Sequence, residues 1–131
     1  MSEPRSLADA LRGWTNEQRL HLFEQRPDLI VPAPRNSAQL ASRATTIASL
    51  MRALDLLTAW DLQLLKEIRV GTLSTPAEVT QHHGEHGRRS LDRLTSLALV
   101  WGGDSLRVVA PLRETDFKMA AAVDPVPPQL A

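Results

Sequence analysis

The stretch from 75 to 109 most restricts what this chain can fold into, because helix start, helix stop and hairpin signals follow one another there at short spacing. Thr75 can cap a helix whose first turn carries Pro76. Gly84 can adopt the left-handed backbone conformation that ends a helix. We therefore predict a short helix over residues 76–83.

A second helix and a hairpin are predicted directly after this turn. The helix is expected to start after Gly87 and to cover residues 88–98. Its apolar and polar residues fall on opposite faces at helical spacing, with Leu91, Leu94 and Ala98 on one and Arg89, Arg93 and Ser96 on the other. The short apolar runs 99–101 and 106–109 flank the turn formers Gly-Gly-Asp-Ser and predict a β-hairpin. This order of elements is typical of a winged helix-turn-helix.

Three more helices are predicted upstream from their capping residues. Ser6 caps residues 7–12, Thr15 caps a helix that reaches Arg26, and Thr58 caps a helix that ends at Gly71. The last of these is apolar on one side, and we expect Trp60, like Trp101, to lie in the core. The proline-rich connector 27–34 is expected to be extended, with Leu29 and Ile30 docked into the core.

Two interpretations are open for residues 37–54, which begin after a cap at Asn36 or Ser37. The apolar residues Leu40, Ala44, Ile47, Met51 and Leu54 recur at alternating spacings of four and three, a pattern that favours one continuous helix. The alternative is a pair of helices broken at Thr45. A turn would normally carry glycine, so we favour the continuous helix over the broken pair.

Composition limits the classes of function. A chain of 131 residues suits one compact domain, and the absence of cysteine excludes disulfides, thiolate catalysis and cysteine-ligated metal. No apolar run approaches membrane-spanning length and the N-terminus lacks a secretory signal pattern, so a cytoplasmic protein is expected. The net charge is zero, so any affinity for DNA has to come from local clusters of basic residues.

The candidate binding residues are arginines. If the second helix enters a major groove, Arg88, Arg89 and Arg93 lie where side chains reach bases or phosphates, and Arg107 on the hairpin reaches the neighbouring backbone. Residues 37–54 are basic and add Arg43 and Arg52. The competing interpretation is a solvated helix face on which Arg88 pairs with Asp92.

Metal binding and catalysis are not expected. His82, His83 and His86 resemble metal ligands, but Gly84 separates them and no further ligands stand nearby. There is no nucleophile elbow, no phosphate-binding glycine loop and no pair of carboxylates in an apolar setting. We therefore expect a chain that is not an enzyme and binds neither cofactor nor metal.

Several segments together resemble the N-terminal region of actinobacterial helicase-associated proteins. They are LFEQRPDL at 22–29, prolines 32 and 34, LASRA at 40–44, MRALDLL at 51–57 and LTSLALVWGGDSLRVV at 94–109. The resemblance covers most of residues 7–113. The C-terminal parts of those proteins look like XPB-type DNA helicases, whose motor motifs do not occur in this sequence. The resemblance implies an accessory domain of a DNA-repair or DNA-processing helicase; a longer parent protein could be an ATP-dependent helicase.

The sequence thus predicts a mainly α-helical protein in three parts. A helical part at 1–56 packs on a winged helix-turn-helix at 57–113, and a proline-rich tail or linker occupies 114–131. The leading hypothesis is a non-catalytic module that binds or positions DNA through modest contacts to phosphate. The alternative is a docking module, for a protein partner or for the rest of a helicase-like chain, with no role in nucleic-acid binding.

Overall fold

The computed structural model of the protein describes residues 4–114, which are mainly helical with one small antiparallel sheet. The sequence also predicts a last helical turn or a short helix at 116–122, and this segment and the proline-rich tail after it lie outside the described residues. The elements in chain order are α1 Leu7–Arg12, α2 Asn16–Gln25, a 3₁₀ turn Pro27–Ile30, α3 Ser37–Ala44, α4 Ile47–Leu54, α5 Ala59–Val70, α6 Pro76–Ser96, β1 Val100–Trp101, β2 Arg107–Val108 and α7 Ala110–Glu114.

Side-chain caps start the helices where the sequence predicts them. An oxygen of the residue before the helix accepts a hydrogen bond from a backbone N–H in the first turn at Ser6, Thr15, Asn36, Thr58 and Thr75. The stops predicted for α1 at Gly13 and for α5 at Gly71 are also confirmed, the latter with a left-handed backbone, φ 89°. These boundaries are therefore set by residues close to them in sequence.

The prediction of one continuous helix over residues 37–54 is wrong. The chain breaks at Thr45 and Thr46, and the Thr46 hydroxyl caps α4 by accepting from the Ser49 N–H. The buried face changes phase across the break, because α4 buries Leu50 and Ala53 and leaves Ile47 53% exposed. The broken pair that the sequence left open is the arrangement observed.

The prolines predict that the connector after α2 is extended, but the observed connector is not extended throughout. Its first residues form the 3₁₀ turn, with Pro27 in the first position, where no N–H is needed. Leu29 is fully buried, as predicted, but Ile30 is 40% exposed and does not reach the core.

Gly84 bends α6 into two halves, which we call the first half (76–83) and the second half (85–96). Its φ of 65° and ψ of −151° are open essentially only to glycine. The second half starts directly after Gly84 rather than at Arg88 as predicted, and Gly87 lies inside it. A Cβ atom on Gly87 would stand 2.4 Å from the His83 Cβ, so glycine at this position lets the two halves approach closely.

The hairpin packs behind α5 and α6. Val100 pairs with Val108 and Trp101 with Arg107, and the Leu106 N–H donates to the Ser74 carbonyl between α5 and α6. The helix faces and strands that meet there are apolar, and Leu94, Leu99 and Val100 are fully buried. Trp101 is buried as predicted.

Arg26 joins the segments on both sides of residue 57. Its guanidinium is 1% exposed and donates to the carbonyl oxygens of Ala44 at 2.7 Å and Leu97 at 2.8 Å and to the Ser49 Oγ at 2.8 Å. The Ser49 hydroxyl in turn donates to Asp28. Burial lowers the pKa of Arg26 to about 10, so the group keeps its charge at neutral pH.

Candidate nucleic-acid interface

The second half of α6 presents an outward polar face. Its inner side is held by Leu91 and Leu94, which are buried as predicted. Arg88 and Arg89 lie on the outer side, with 57% and 73% of their side chains exposed. Six arginines are predicted from the sequence to bind DNA, and two of them, Arg88 and Arg89, lie side by side on one exposed helix face.

Acidic side chains of the same helix accompany both arginines. The Arg88 Nε lies 3.5 Å from a carboxylate oxygen of Glu85, and Arg88 Nη1 lies 3.9 Å from Asp92, as the solvated-face interpretation predicts. The Arg89 Nε lies 3.9 Å from the second Glu85 oxygen. These contacts are long and exposed, so they are weak, but they make the local charge of this face zero.

Arg93 has a structural partner. Its guanidinium Nη1 donates at 2.7 Å to the carboxylate of Asp61, whose side chain is fully buried at the start of α5. Burial raises the pKa of Asp61, but Arg93, Ser90 and the Thr58 N–H outweigh burial and hold that pKa below its ordinary value. Arg93 is 46% exposed on its side chain. If the Arg93 side chain turned toward DNA, the buried carboxylate of Asp61 would lose its cation. Arg93 is therefore not among the arginines that are free to contact DNA.

The two arginines of residues 37–54 that the sequence predicts to bind DNA also differ in whether the fold engages their side chains. The Arg43 guanidinium donates to the carbonyl oxygens of Leu29 and Pro32 and thereby holds the connector against α3. Arg52 is exposed on α4. Arg43 is therefore engaged in the fold, whereas Arg52 lies on the surface.

Arg107 and α6 lie on opposite faces of the hairpin. Adjacent strand residues point to opposite faces, and Leu106 lines a cleft of about 490 Å³ with Leu91 and Asp92 of α6 and Trp14 near the start of α2. Arg107 lines a separate cleft of about 480 Å³ between α1, α3 and the hairpin. DNA binding predicts that Arg88, Arg89, Arg93 and Arg107 form one continuous positive strip, but Arg107 lines a different cleft from the one that α6 lines.

The histidines near the kink contact groups other than a metal. His83 Nε2 lies 2.8 Å from the Glu67 carboxylate on α5. His86 meets Trp60 edge to face at a ring distance of 5.0 Å. Among residues 4–114, no group of three or more histidine, aspartate or glutamate side chains is arranged to hold a metal ion.

The prediction that Trp60 is a core residue is wrong, since its side chain is 59% exposed. It stands at the start of α5, where the following residues Asp61 and Leu62 take the buried positions. Its ring packs on the second half of α6 through His86. The helical pattern placed Trp60 on the apolar side of α5, and only the packing of α6 shows that it lies at the edge of that side.

Sequence reasoning also missed Arg5 and Arg26. Arg5 lines the cleft that contains Arg107, and its position before the α1 cap gives no signal for this contact. Arg26 is buried, and its partners Ala44 and Leu97 stand far away in sequence. Long-range contacts of this kind leave no periodic pattern.

Within the described part of the chain, no helix combines the length and the apolar character needed to cross a bilayer. Comparison with protein-family models, curated proteins and solved structures finds no match for this chain.

Proposed function

We propose that residues 57–113 form a winged helix-turn-helix and that the protein is a non-catalytic module that binds or positions DNA in a helicase-like DNA-processing protein. The observation that carries this proposal is the exposure of Arg88 and Arg89 on the outer face of the second half of α6. The sharp bend at Gly84 and the hairpin after α6 support the winged fold. The family resemblance supports the helicase context.

The neighbouring helix α2 limits which part of α6 could enter a groove. Trp14, Glu17 and His21, in or next to α2, face Asp92 and Thr95 across a narrow cleft. The C-terminal part of α6 is therefore flanked by protein, and the N-terminal part of its second half is open. In helix-turn-helix proteins the N-terminal residues of the second helix contact the bases, and here those residues include Arg88 and Arg89.

The neutral charge of the face makes the proposed binding weak, and the contacts of its arginines to phosphate make that binding sensitive to salt. Each arginine that neutralises a phosphate contributes about 0.9 to the slope of log K against log salt concentration. We expect Arg88→Gln with Arg89→Gln to reduce that slope by about 1.8 and to leave the melting temperature unchanged. Lys66→Gln with Arg35→Gln removes the same charge at exposed positions elsewhere on the surface and is the matched control.

Anisotropy titrations with duplex, forked and single-stranded DNA at several salt concentrations measure this effect. Equal slopes for the α6 variant and the control variant would reject the assignment. Conversely, Glu85→Gln with Asp92→Asn frees both arginines. The variant removes three exposed ion pairs, and at about 0.5 kcal/mol for each we expect it to bind DNA roughly tenfold more tightly than the wild type.

A second candidate function is docking of a protein surface on the same side of the molecule. Exposed tryptophan is favoured at the centre of protein interfaces, and Trp60 is 59% exposed beside His86. Docking without a nucleic-acid role predicts that none of the three DNA forms binds, even at low salt. DNA binding predicts that Trp60→Ala leaves the salt slope unchanged, because the ring carries no charge.

A further inference from the structure

The cleft that Arg107 lines has the composition of an anion site. We call it the Arg107 groove and define it by Arg5, Ser42, Thr45, Trp101 and Arg107. Arg5 and Arg107 bring positive charge from two separate segments, the residues before α1 and strand β2. Among the described residues that line the groove, none is acidic. The cleft on the other face of the hairpin contains Glu17 and Asp92, so the two clefts differ in charge.

The fold holds the Arg107 guanidinium in place before any ligand arrives. Its Cζ lies 5.6 Å from the centroid of the Trp101 ring, within the range of a cation–π interaction. Fixing the side chain in this way reduces the conformational entropy that ligand binding would otherwise cost. Its hydrogen-bond donors lie at the edge of the guanidinium plane, and among residues 4–114 no group accepts from them, so they can meet a phosphate bidentately.

The neighbours of Arg5 also leave its side chain available. Its backbone N–H donates to Asp9 Oδ2, and the other oxygen of Asp9 accepts from the guanidinium of Arg12. The hydrogen bonds to Asp9 therefore come from groups other than the Arg5 guanidinium, and the charge of Arg5 acts on Asp9 only as the smallest of the contributions that lower its pKa. The exposed Ser42 adds a hydroxyl at the same groove.

We propose that the Arg107 groove binds the phosphate backbone of DNA, as a contact separate from the α6 surface. A free nucleotide fits less well, because the ring of Trp101 is buried and covered by Arg107, which leaves no aromatic face for a base. Arg5, Ser42 and Arg107 are all exposed, so a polymer can reach them. The inference rests on the proposed DNA binding for its occupant, but it uses no residue of α6.

The test compares three double variants of the full chain in anisotropy titrations with a labelled duplex of about 20 base pairs. Arg5→Gln with Arg107→Gln should reduce the salt slope by about 1.8, and Lys66→Gln with Arg35→Gln, at exposed positions outside both proposed surfaces, should change it much less. Glutamine keeps an aliphatic stem over Trp101, and a melting curve checks the fold. A reduced slope for Arg88→Gln with Arg89→Gln but not for the groove variant would overturn the groove and leave the proposed function standing.

A structural readout locates the contact. In two-dimensional NMR spectra, DNA should shift the indole N–H signal of Trp101, and the groove variant should lose that shift. An unchanged Trp101 signal at saturating DNA would overturn the proposal. The proposal would also be overturned if sodium phosphate caused a saturable shift of the Trp101 signal, measured against sodium chloride at equal ionic strength, while the groove and control variants bound DNA equally. The groove would then be a site for free phosphate.

Discussion

Replacing Arg26 by methionine should destabilise the protein more than any surface substitution. Methionine keeps an apolar stem but removes every hydrogen bond to Ala44, Ser49 and Leu97. Each of the two buried carbonyl oxygens left without a partner costs about 1–3 kcal/mol, and the Ser49 hydroxyl, which still donates to Asp28, loses one bond worth about 1 kcal/mol, which would give about 3–7 kcal/mol together. The desolvation of a buried guanidinium is relieved at the same time, so the net loss should be about 3–5 kcal/mol.

This loss is large for a chain of this size. Domains are commonly stable by only about 5–15 kcal/mol. With about 4 °C for each kcal/mol, the melting temperature should fall by about 12 °C or more. Arg26→Lys should also destabilise, because one ammonium group cannot reach three acceptors on three segments. Arg52→Met, at an exposed position, is the control and should change stability by less than about 0.5 kcal/mol.

Urea unfolding followed both by circular dichroism and by tryptophan fluorescence tests the role of Arg26. In the wild type the two transitions should coincide, because Arg26 connects the helices before residue 57 with the end of α6. In Arg26→Met the two transitions should separate as well as shift. A midpoint equal to that of Arg52→Met would show that apolar packing alone joins these segments and that the hydrogen-bond argument is wrong.

Three further substitutions test the α5 and α6 geometry. Gly84→Ala should cost about 1–3 kcal/mol in a thermal melt, because its backbone conformation is strained for any residue with a Cβ atom. Gly87→Ala should cost a similar amount, because its Cβ would clash with the His83 Cβ. Asp61→Asn should lower stability at neutral pH. The pKa of Asp61 is lowered in the folded state, so its contribution is complete above the unfolded value near 3.8 and is lost as pH falls through the folded value. Melting temperatures of Asp61→Asn and wild type should therefore converge in acid, and a gap that stays constant from pH 7 to pH 2 would contradict this assignment.

Local signals explain the parts of the fold that could be predicted. A hydroxyl cap such as Thr58 or Thr75 accepts from a backbone N–H three residues later. Both partners of the hydrogen bond are therefore close together in the sequence, and the cap can be predicted from it. The same holds for the left-handed Gly71 and for the glycine-rich turn of the hairpin. The helix starts and the hairpin follow from such contacts.

The break between α3 and α4 could not be predicted with the same certainty. An apolar stripe with spacings of four and three fits one helix as well as two, and the Thr46 cap is a weak signal inside it. The end of α3 is also fixed from outside, because the Ala44 carbonyl accepts from Arg26. A donor 18 residues away along the chain is not visible in a helical pattern.

The candidate site shows the same limit for side-chain direction. Arg88, Arg89 and Arg93 are equivalent by sequence spacing, yet Arg93 turns to a buried carboxylate on another helix. Likewise, the sequence places Arg107 on a surface strand, where its side chain is exposed, but cannot show which cleft this side chain lines. Sequence periodicity assigns a residue to a face, whereas its partner is set by the packing of neighbouring elements.

The distribution of engaged and exposed arginines sets an upper limit on the salt dependence of the proposed DNA binding. Arg26, Arg43 and Arg93 serve carbonyl or carboxylate groups of the fold. The two proposed contact surfaces then contain four available cations, two on α6 and Arg5 with Arg107 in the groove. At about 0.9 for each phosphate, the wild-type slope should not exceed about 3.6 in magnitude. A distinctly steeper slope would require further cations, and a loss of that excess in Arg52→Gln would show that the DNA path crosses α4 instead of ending at these two surfaces.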